Sequence, residues 1–292
     1  LHTAYRRQRQ MCIRDRYRVS KVLNNNGVIA IDMDENKEYV ILGKGVGFGK
    51  KVSQRFDKPE GCTTYRLEQE TERGSAKELV KGIEPEYLEI ADAILTESQK
   101  VFGDSIDRGI LFPLADHISF AVARIRRNEQ ISNPLTEDIK VLFYSEFKVA
   151  ETLKTILRER LQIEIDDHEV GYVALHIHSA IGDEKVSVAM QTARAVRECI
   201  DMLEKATGKP IDVLSLSYNR LMNHMKYMVA RASTGEKLNL DMNEYMLDQY
   251  PQAYKVATDI CKNLEGCIGH KLDETETGYL AMHIQRVYKD AV

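Results

Sequence analysis

The sequence predicts a multidomain protein with a small antiparallel β-sheet domain at its N-terminus, followed by two homologous all-α helical-bundle domains. Two observations support this organisation. Short β-type runs separated by Asn-, Asp- and Gly-rich turns fill the first quarter of the chain, and helical periodicity follows from about residue 84. The helical part then repeats itself at a fixed offset. The predicted segments are a leader or artefact at 1–16 and domains at 17–70, 75–181 and 185–292.

The helical part is a duplication in which every matched motif is displaced by the same distance along the chain. Gly171-Tyr-Val-Ala-Leu-His176-Ile reappears as Gly278-Tyr-Leu-Ala-Met-His283-Ile. In the same register, His117-Ile-Ser-Phe-Ala-Val-Ala-Arg124 reappears as His224-Met-Lys-Tyr-Met-Val-Ala-Arg231. The two histidines are therefore separated equally in both copies. A histidine pair has been copied together with its scaffold, and we expect the chemistry of the chain to lie there.

Composition narrows the class of protein. The 292 residues are 43% hydrophobic and 29% charged, which is typical of a globular chain able to bury cores. The five cysteines include no Cys-x-x-Cys pair, which disfavours a zinc site or a disulfide framework and favours a reducing cytoplasm. No apolar run reaches the roughly 18 residues that a membrane helix needs. The sequence therefore predicts a cytoplasmic protein without membrane insertion.

The N-terminal domain has the pattern of a hairpin sheet. Predicted strands cover 17–23, 28–33, 38–42 and, more weakly, 62–67. The turns Asn24-Asn-Asn-Gly27 and Asp34-Glu-Asn-Lys37 tolerate positive φ, as hairpins require. A sheet of about 50 residues buries little surface, so we expect it to need a partner, and a homodimer is the simplest one.

The loop Gly43-Lys-Gly-Val-Gly-Phe-Gly49 is the candidate binding segment of this domain. It lacks the Lys-Ser/Thr ending and the βαβ context of a nucleotide-binding loop. Lysines around an exposed aromatic ring, Phe48, are suited to the phosphates and bases of single-stranded or looped RNA. Residues 17–56 carry seven Lys or Arg against four Asp or Glu, although the whole chain has a net charge of −4. The structural alternative is a solvated Gly- and Asn-rich turn.

Helical periodicity predicts four helices in each copy. In the first copy they cover 84–102, 107–128, 146–161 and 166–181, and in the second copy 187–206, 211–232, 251–264 and 273–288. Residues 70–75 are interpreted as a linker, and 182–185 as the joint between the copies.

The paired histidines have several possible roles. A metal site is disfavoured because His176 and His178 point to different sides of a helix, and because Gln285 replaces His178 in the second copy. No Ser or Cys nucleophile accompanies the pairs, so neither an enzyme nor a cofactor is predicted. Core histidines are the structural alternative. The remaining role is acceptance of a phosphoryl group, whose added charge can switch an assembly.

An arginine follows the first histidine of each copy by seven positions. Seven helical steps of about 100° return to nearly the same helix face, about 10.5 Å further along the axis. Arg124 and Arg231 are therefore candidate phosphate contacts.

The order of these motifs carries a family resemblance. Lys21-Val-Leu-Asn-Asn-Asn26, Gly43-Lys-Gly-Val-Gly-Phe-Gly-Lys-Lys51 and the doubled histidine modules resemble bacterial transcriptional antiterminators of the BglG/SacY/LicT family. These proteins have a co-antiterminator (CAT) RNA-binding domain and two phosphotransferase-system (PTS) regulation domains. The resemblance covers residues 17–292 and is closest to the glucose-type branch.

The resemblance implies a homodimeric, RNA-binding antiterminator that stabilises a hairpin in nascent mRNA of sugar-uptake genes. Its implied partners are the histidine phosphocarrier protein and a sugar-specific Enzyme II, which exchange phosphoryl groups with the regulation domains. The implied RNA-contacting residues are Lys21, Asn24, Asn26, Lys44, Gly45, Phe48 and Lys50. The implied phosphoacceptors are His117 and His176 in the first regulation domain, and His224 and His283 in the second.

A PTS-regulated signalling protein or DNA-acting regulator without RNA binding is the alternative. Such activators carry a helix-turn-helix, and the sequence shows no such pattern before residue 70.

Overall fold

The computed structural model describes residues 16–68, 70–71, 74–129, 131–182, 185–208, 210–212 and 215–290. Except for Arg16, the predicted leader lies outside the described residues. Two compact units are present. The first contains the described residues up to Ile131 and those from Lys148 to Gly182, and the second contains Ser132–Phe147 and the described residues from Lys185 onward.

A five-stranded antiparallel sheet begins the first unit. Its strands are β1 (Tyr17–Asn24), β2 (Gly27–Asp32), β3 (Lys37–Leu42), β4 (Arg55–Phe56) and β5 (Thr63–Arg66), in the order β4-β1-β2-β3-β5. The four predicted strands are all present. Strand β4 was not predicted because two residues are too short to show an alternating pattern. The buried cluster of the sheet contains Tyr17, Val19, Val28, Ala30, Ile41, Val46, Phe56 and Cys62.

The glycine-rich loop packs against the β1–β2 turn, backbone to backbone. The amide of Gly43 donates to the carbonyl of Asn26 at 2.9 Å, and the amide of Gly47 donates to the carbonyl of Asn25 at 3.0 Å. A Cβ atom at Gly47 would lie only 2.0 Å from the Asn24 carbonyl oxygen. The glycines therefore allow two turns to meet at one end of the sheet.

The predicted linker at 70–75 has its two ends paired as short strands. Strand β6 (Glu70–Thr71) pairs with β7 (Gly74–Ser75) in an antiparallel ladder. Gly74 has a φ of 112°, a conformation that glycine adopts readily and other residues rarely do.

The α-helices follow directly after this ladder. In chain order they are α1 (Ala76–Gly82), α2 (Pro85–Phe102), α3 (Leu111–Arg126), α4 (Thr136–Leu142), α5 (Tyr144–Ala150), α6 (Thr152–Leu161), α7 (Asp167–Gly182), α8 (Val186–Thr207), α9 (Leu216–Thr234), α10 (Asn243–Gln249), α11 (Pro251–Ile268) and α12 (Thr275–Asp290).

Each of the eight predicted helical segments contains a helix, with two differences. The segment 146–161 is divided between α5 and α6, and the helix within the segment 211–232 is α9, which begins at Leu216. Helices α1, α4 and α10 were not predicted, because seven residues make only two turns and show no clear apolar periodicity.

Local signals explain where several helices begin and end. Pro85 and Pro251 occupy first-turn positions, where proline loses no helical hydrogen bond. The Ser215 hydroxyl caps α9 by accepting a hydrogen bond from the amide of Tyr218. Gly208 and Gly235 adopt left-handed conformations that end α8 and α9.

The sequence duplication is not fully reproduced in the packing. Helix α4 lies in the second unit, where it packs on α8 and α9. Its counterpart in the second copy, α10, packs on α11 and α12. Among the helices that the structure describes, none combines the length and apolar character needed to cross a membrane.

We expect Gly47→Ala to unfold the junction of the two turns, because the new methyl group would overlap the Asn24 carbonyl. Forced overpacking of this kind costs about 1–3 kcal/mol. Hydrogen exchange measured by mass spectrometry would report faster exchange of β1 and β2 in the variant.

Gly82→Ala is the matched control. A methyl group there would meet no heavy atom within 4 Å in the described part of the chain. Equal exchange in the Gly47→Ala variant and the parent protein would contradict the proposed role of the glycine-rich loop.

Candidate nucleic-acid interface and histidine sites

Most of the predicted RNA-contacting residues lie at the end of the sheet where the two turns meet. Lys21, Lys44 and Gly45 are exposed, and the Phe48 side chain is the most exposed large apolar group described, at 75%. Lys50 is half-buried, with its ammonium group 4.8 Å from the centroid of the Phe56 ring. An exposed ring on a loop that also carries lysines can stack on a base while the lysines bind phosphates.

Hydrogen bonds fix the orientation of the two asparagine side chains. Oδ1 of Asn24 accepts from the amide of Asn26 at 2.8 Å, and Oδ1 of Asn26 accepts from the amide of Gly45 at 3.0 Å. Because both side-chain oxygens are used within the domain, each Nδ2 group is presented as a donor. Both donors bind the carboxylate of Glu89 on α2, at 2.7 Å from Asn24 and 3.2 Å from Asn26.

The first histidine pair forms a buried cluster. His117 on α3 and His176 on α7 have ring centroids 5.4 Å apart and an interplanar angle of 45°. Tyr172 lies beside them, with its ring centroid 5.7 Å from that of His117. Both imidazoles are less than one tenth exposed. The structure thus brings together two predicted phosphoacceptors that are distant in sequence.

A buried glutamate lies between His117 and the predicted arginine. Arg124 donates to Oε1 of Glu169 at 2.8 Å. Nε2 of His117 is 3.4 Å from Oε2 of Glu169, an ion-pair distance without hydrogen-bond geometry among the described residues. Burial by itself would raise the pKa of Glu169, but His117 and Arg124 outweigh it and hold the pKa below its ordinary value.

The second pair repeats the arrangement with tighter geometry. The His224 and His283 rings are stacked at 4.9 Å with an interplanar angle of 14°. Arg231 binds Glu276 with two hydrogen bonds, of 2.6 and 3.0 Å. Nε2 of His224 lies 3.7 Å from Oε2 of Glu276. The Tyr279 ring centroid is 4.8 Å from that of His224.

Burial makes the second pair poor bases. It lowers the pKa of His224 to about 3, with smaller contributions from the neighbouring His283 and from the positive charge of Arg231. It also lowers the pKa of His283 to about 4, assisted by Arg286 and Arg220. Both imidazoles are therefore neutral at pH 7, and a neutral imidazole keeps the lone pair that nucleophilic attack requires.

Several buried imidazole nitrogens have no hydrogen-bond partner among the residues that the structure describes. They are Nε2 of His117, Nε2 of His224 and Nδ1 of His283. Buried polar atoms are normally hydrogen-bonded, and exceptions concentrate at functional sites. The geometry of these groups, together with the neutral state of His224 and His283 at pH 7, suits an acceptor of a phosphoryl group.

Sequence reasoning missed four members of the two clusters. These are the glutamates and tyrosines Glu169, Glu276, Tyr172 and Tyr279. The constant offset of the duplication relates them pairwise, and this was the available signal. The predicted phosphate contacts Arg124 and Arg231 each bind a glutamate in this structure. No group of three or more His, Cys, Asp or Glu within the described ranges is arranged to hold a metal ion.

Comparison with family models gives the same domain order. The CAT RNA binding domain model matches residues 17–74, and the PRD domain model matches residues 92–180 and 196–287. The chain belongs to the family of transcription antiterminators in which a CAT RNA-binding domain precedes two PRD domains.

Similar proteins support this assignment. The GlcA/glcB genes antiterminator of Staphylococcus carnosus (strain TM300) is 30% identical over 92% of this chain and 94% of its own length. Transcription antiterminator LicT of Bacillus subtilis (strain 168) is 27% identical over 94% of this chain and 100% of its own length. The crystal structure of GlcT CAT-PRDI covers 57% of this chain and 98% of its own, with 29% identity and a TM-score of 0.50. The glucose-type branch predicted from the sequence agrees with these relatives.

We expect His224 and His283 to titrate far below the ordinary value of 6.5. As pH falls below 6.5, the two histidines become protonated in the unfolded chain but stay neutral in the folded protein. The free energy of unfolding of the second unit should therefore decrease as pH falls below 6.5, down to about 3 for His224 and about 4 for His283, by up to about 1.4 kcal/mol per pH unit for each group. Proton NMR of the imidazole resonances against pH checks this.

The same chain unfolded in urea is the control, because its histidines should titrate near 6.5. Midpoints near 6.5 for these two histidines in the folded protein would contradict the buried, neutral pair.

Proposed function

We propose that this chain acts in the cytoplasm as a homodimer that binds an antiterminator hairpin in nascent mRNA of sugar-uptake genes. The observation that carries the proposal is the exposed Phe48 among lysines, on a domain that matches the CAT RNA-binding family. RNA held there keeps a competing terminator hairpin from folding. The protein acts by binding, and it catalyses no reaction of its own.

Phosphorylation of the histidine pairs is the proposed control. In each transfer, the bond between phosphorus and the donor side chain of the phosphocarrier protein or Enzyme II breaks as a bond from phosphorus to the receiving imidazole nitrogen forms. The phosphoryl group adds about 1.5–2 negative charges at pH 7. Beside Glu169 or Glu276, this charge repels the carboxylate and attracts the neighbouring arginine, which changes the contacts between helices.

Phe48→Ala and Lys44→Ala should each weaken binding to a short RNA hairpin with internal loops. Loss of a stacked ring costs about 1–3 kcal/mol, roughly 5- to 150-fold in affinity. Loss of a phosphate-binding lysine should reduce the salt dependence by about one unit of slope. Fluorescence anisotropy at several salt concentrations measures both effects.

Met33→Ala is the matched control, because Met33 is exposed just after β2, at the opposite end of that strand from the two turns. A DNA of the same sequence is the competitor. Normal RNA affinity in both variants would refute the interface, and equal competition by DNA would favour a DNA-acting regulator instead.

Phosphorylated histidine phosphocarrier protein should transfer phosphoryl groups to the buried histidine pairs. Replacing His117, His176, His224 or His283 singly by Gln should each remove one phosphorylated peptide, because a glutamine amide is not a nucleophile. Mass spectrometry at neutral pH, which preserves phosphohistidine, maps the peptides.

His178→Gln should leave the pattern unchanged, since Gln285 stands at this position of the second copy. Phosphorylation confined to residues outside the two clusters would overturn this part of the proposal.

A further inference from the structure

Glu89 on α2 occupies the two asparagine donors of the candidate RNA interface. Its Oε1 accepts from Nδ2 of Asn24 at 2.7 Å, and its Oε2 accepts from Nδ2 of Asn26 at 3.2 Å. The three side chains are only partly exposed. A carboxylate is an acceptor with negative charge, so its oxygens occupy the place of an RNA acceptor such as a phosphate oxygen or a base carbonyl.

The side-chain amides of Asn24 and Asn26 cannot flip to present their NH2 groups to a second acceptor. Their Oδ1 atoms hold the β1–β2 turn and the glycine-rich loop together, through the amides of Asn26 and Gly45. Flipping either side chain would place an NH2 group against a backbone NH and lose that bond. The N–H that each Nδ2 group donates to Glu89 is therefore open to an RNA acceptor only if the carboxylate leaves.

A second contact holds α2 against the sheet next to Glu89. The Tyr65 hydroxyl of β5 donates to Asp92, one turn after Glu89 on α2. Arg108 donates to Asp92 at 2.8 Å and to the Tyr65 oxygen at 2.7 Å. Burial raises the pKa of Tyr65 well above its ordinary value, so the hydroxyl remains a donor at all physiological pH values. This contact positions α2 without using any RNA-contacting residue.

Glu89 also has a cation to bind when it leaves the asparagines. Nη1 of Arg160, in the last turn of α6, lies 3.6 Å from Oε2 of Glu89. A small movement of the carboxylate toward Arg160 keeps its charge paired. Release therefore avoids the cost of an uncompensated, partly buried charge.

We propose that Glu89 is a built-in competitor of RNA, an autoinhibitory contact by which the first helical domain closes part of the CAT interface. This inference rests on the proposed RNA-binding function. The carboxylate blocks the asparagine donors and repels the phosphates of an approaching hairpin. Lys21, Lys44 and Phe48 remain exposed, so RNA binds the open part of the interface before it displaces Glu89.

The test is the affinity of the full chain for an RNA hairpin with internal loops, with and without Glu89→Ala. We expect the variant to bind at least about fivefold more tightly, the lower end of typical coupling between sites. Glu97→Ala is the matched control, because Glu97 lies on the same helix and pairs with Lys100, and its loss changes the net charge equally. An equal gain in affinity from Glu97→Ala would show that the change in net charge alone explains the effect, and this would overturn the proposal.

Two further variants isolate the contact. Glu89→Ala combined with Arg160→Ala should keep the gain, which shows that a liberated arginine is not its source. Asn26→Ala should cost more affinity in the Glu89→Ala background than in the parent chain, because the Asn26 donor is then free for RNA. Additive effects of the Asn26 and Glu89 changes would refute the competition.

The outcomes separate this inference from the proposed function. If the parent chain binds RNA and Glu89→Ala binds with the same or lower affinity, the autoinhibitory contact is wrong and RNA binding stands. If neither the parent chain nor any variant binds RNA, the proposed function itself fails.

Discussion

The ion pair between a buried glutamate and a partly buried arginine is the interaction on which each helical domain depends. Arg124 on α3 binds Glu169 on α7, and Arg231 on α9 binds Glu276 on α12. Removing one partner of such a pair leaves an uncompensated buried charge, which costs about 3–5 kcal/mol. The same pair fixes the two helices that carry the histidines. The same two side chains therefore contribute to the stability of the domain and to the electrostatic environment of its proposed phosphoacceptors, and a phosphoryl charge on the imidazole would act on both.

The two copies present different environments to a phosphoryl group. The first pair of imidazoles is tilted by 45° and its arginine makes one hydrogen bond to the glutamate, whereas the second pair is nearly parallel and its arginine makes two. The residue before the first histidine also differs, since Asp116 is buried and Asn223 is exposed. A duplicated site with unequal arginine binding responds unequally to the same modification. If both sites accept phosphoryl groups as proposed, this asymmetry lets the two sites be regulated separately.

The features that could be predicted from the sequence are those with a periodic pattern or a duplicated motif. The eight long helical segments and four strands follow from apolar spacing and turn residues, and the histidine clusters follow from the repeat. The short helices α1, α4 and α10 carry too few turns for such a signal. Glu169 and Glu276 were missed because a charged residue at a helix start is ordinarily a solvent-exposed capping residue, and only the packed structure shows them buried. The contact of Glu89 with Asn24 and Asn26 joins a turn to a helix that is distant in sequence, so no local pattern could predict it.

One chemical principle connects the two kinds of site. At the CAT interface Glu89 binds the asparagine donors, and in the helical domains Glu169 and Glu276 bind the arginines. In each place a protein carboxylate already occupies donors that suit a phosphate. In the proposed exchange, a phosphate from RNA or from a phosphoryl donor replaces the carboxylate at these donors, so no donor is left unpaired before or after the exchange. Leaving such donors bare would cost about 1–3 kcal/mol each. The state with donors bound to a protein carboxylate and the state with donors bound to a phosphate are then close in free energy. A single added charge can therefore switch the molecule between them.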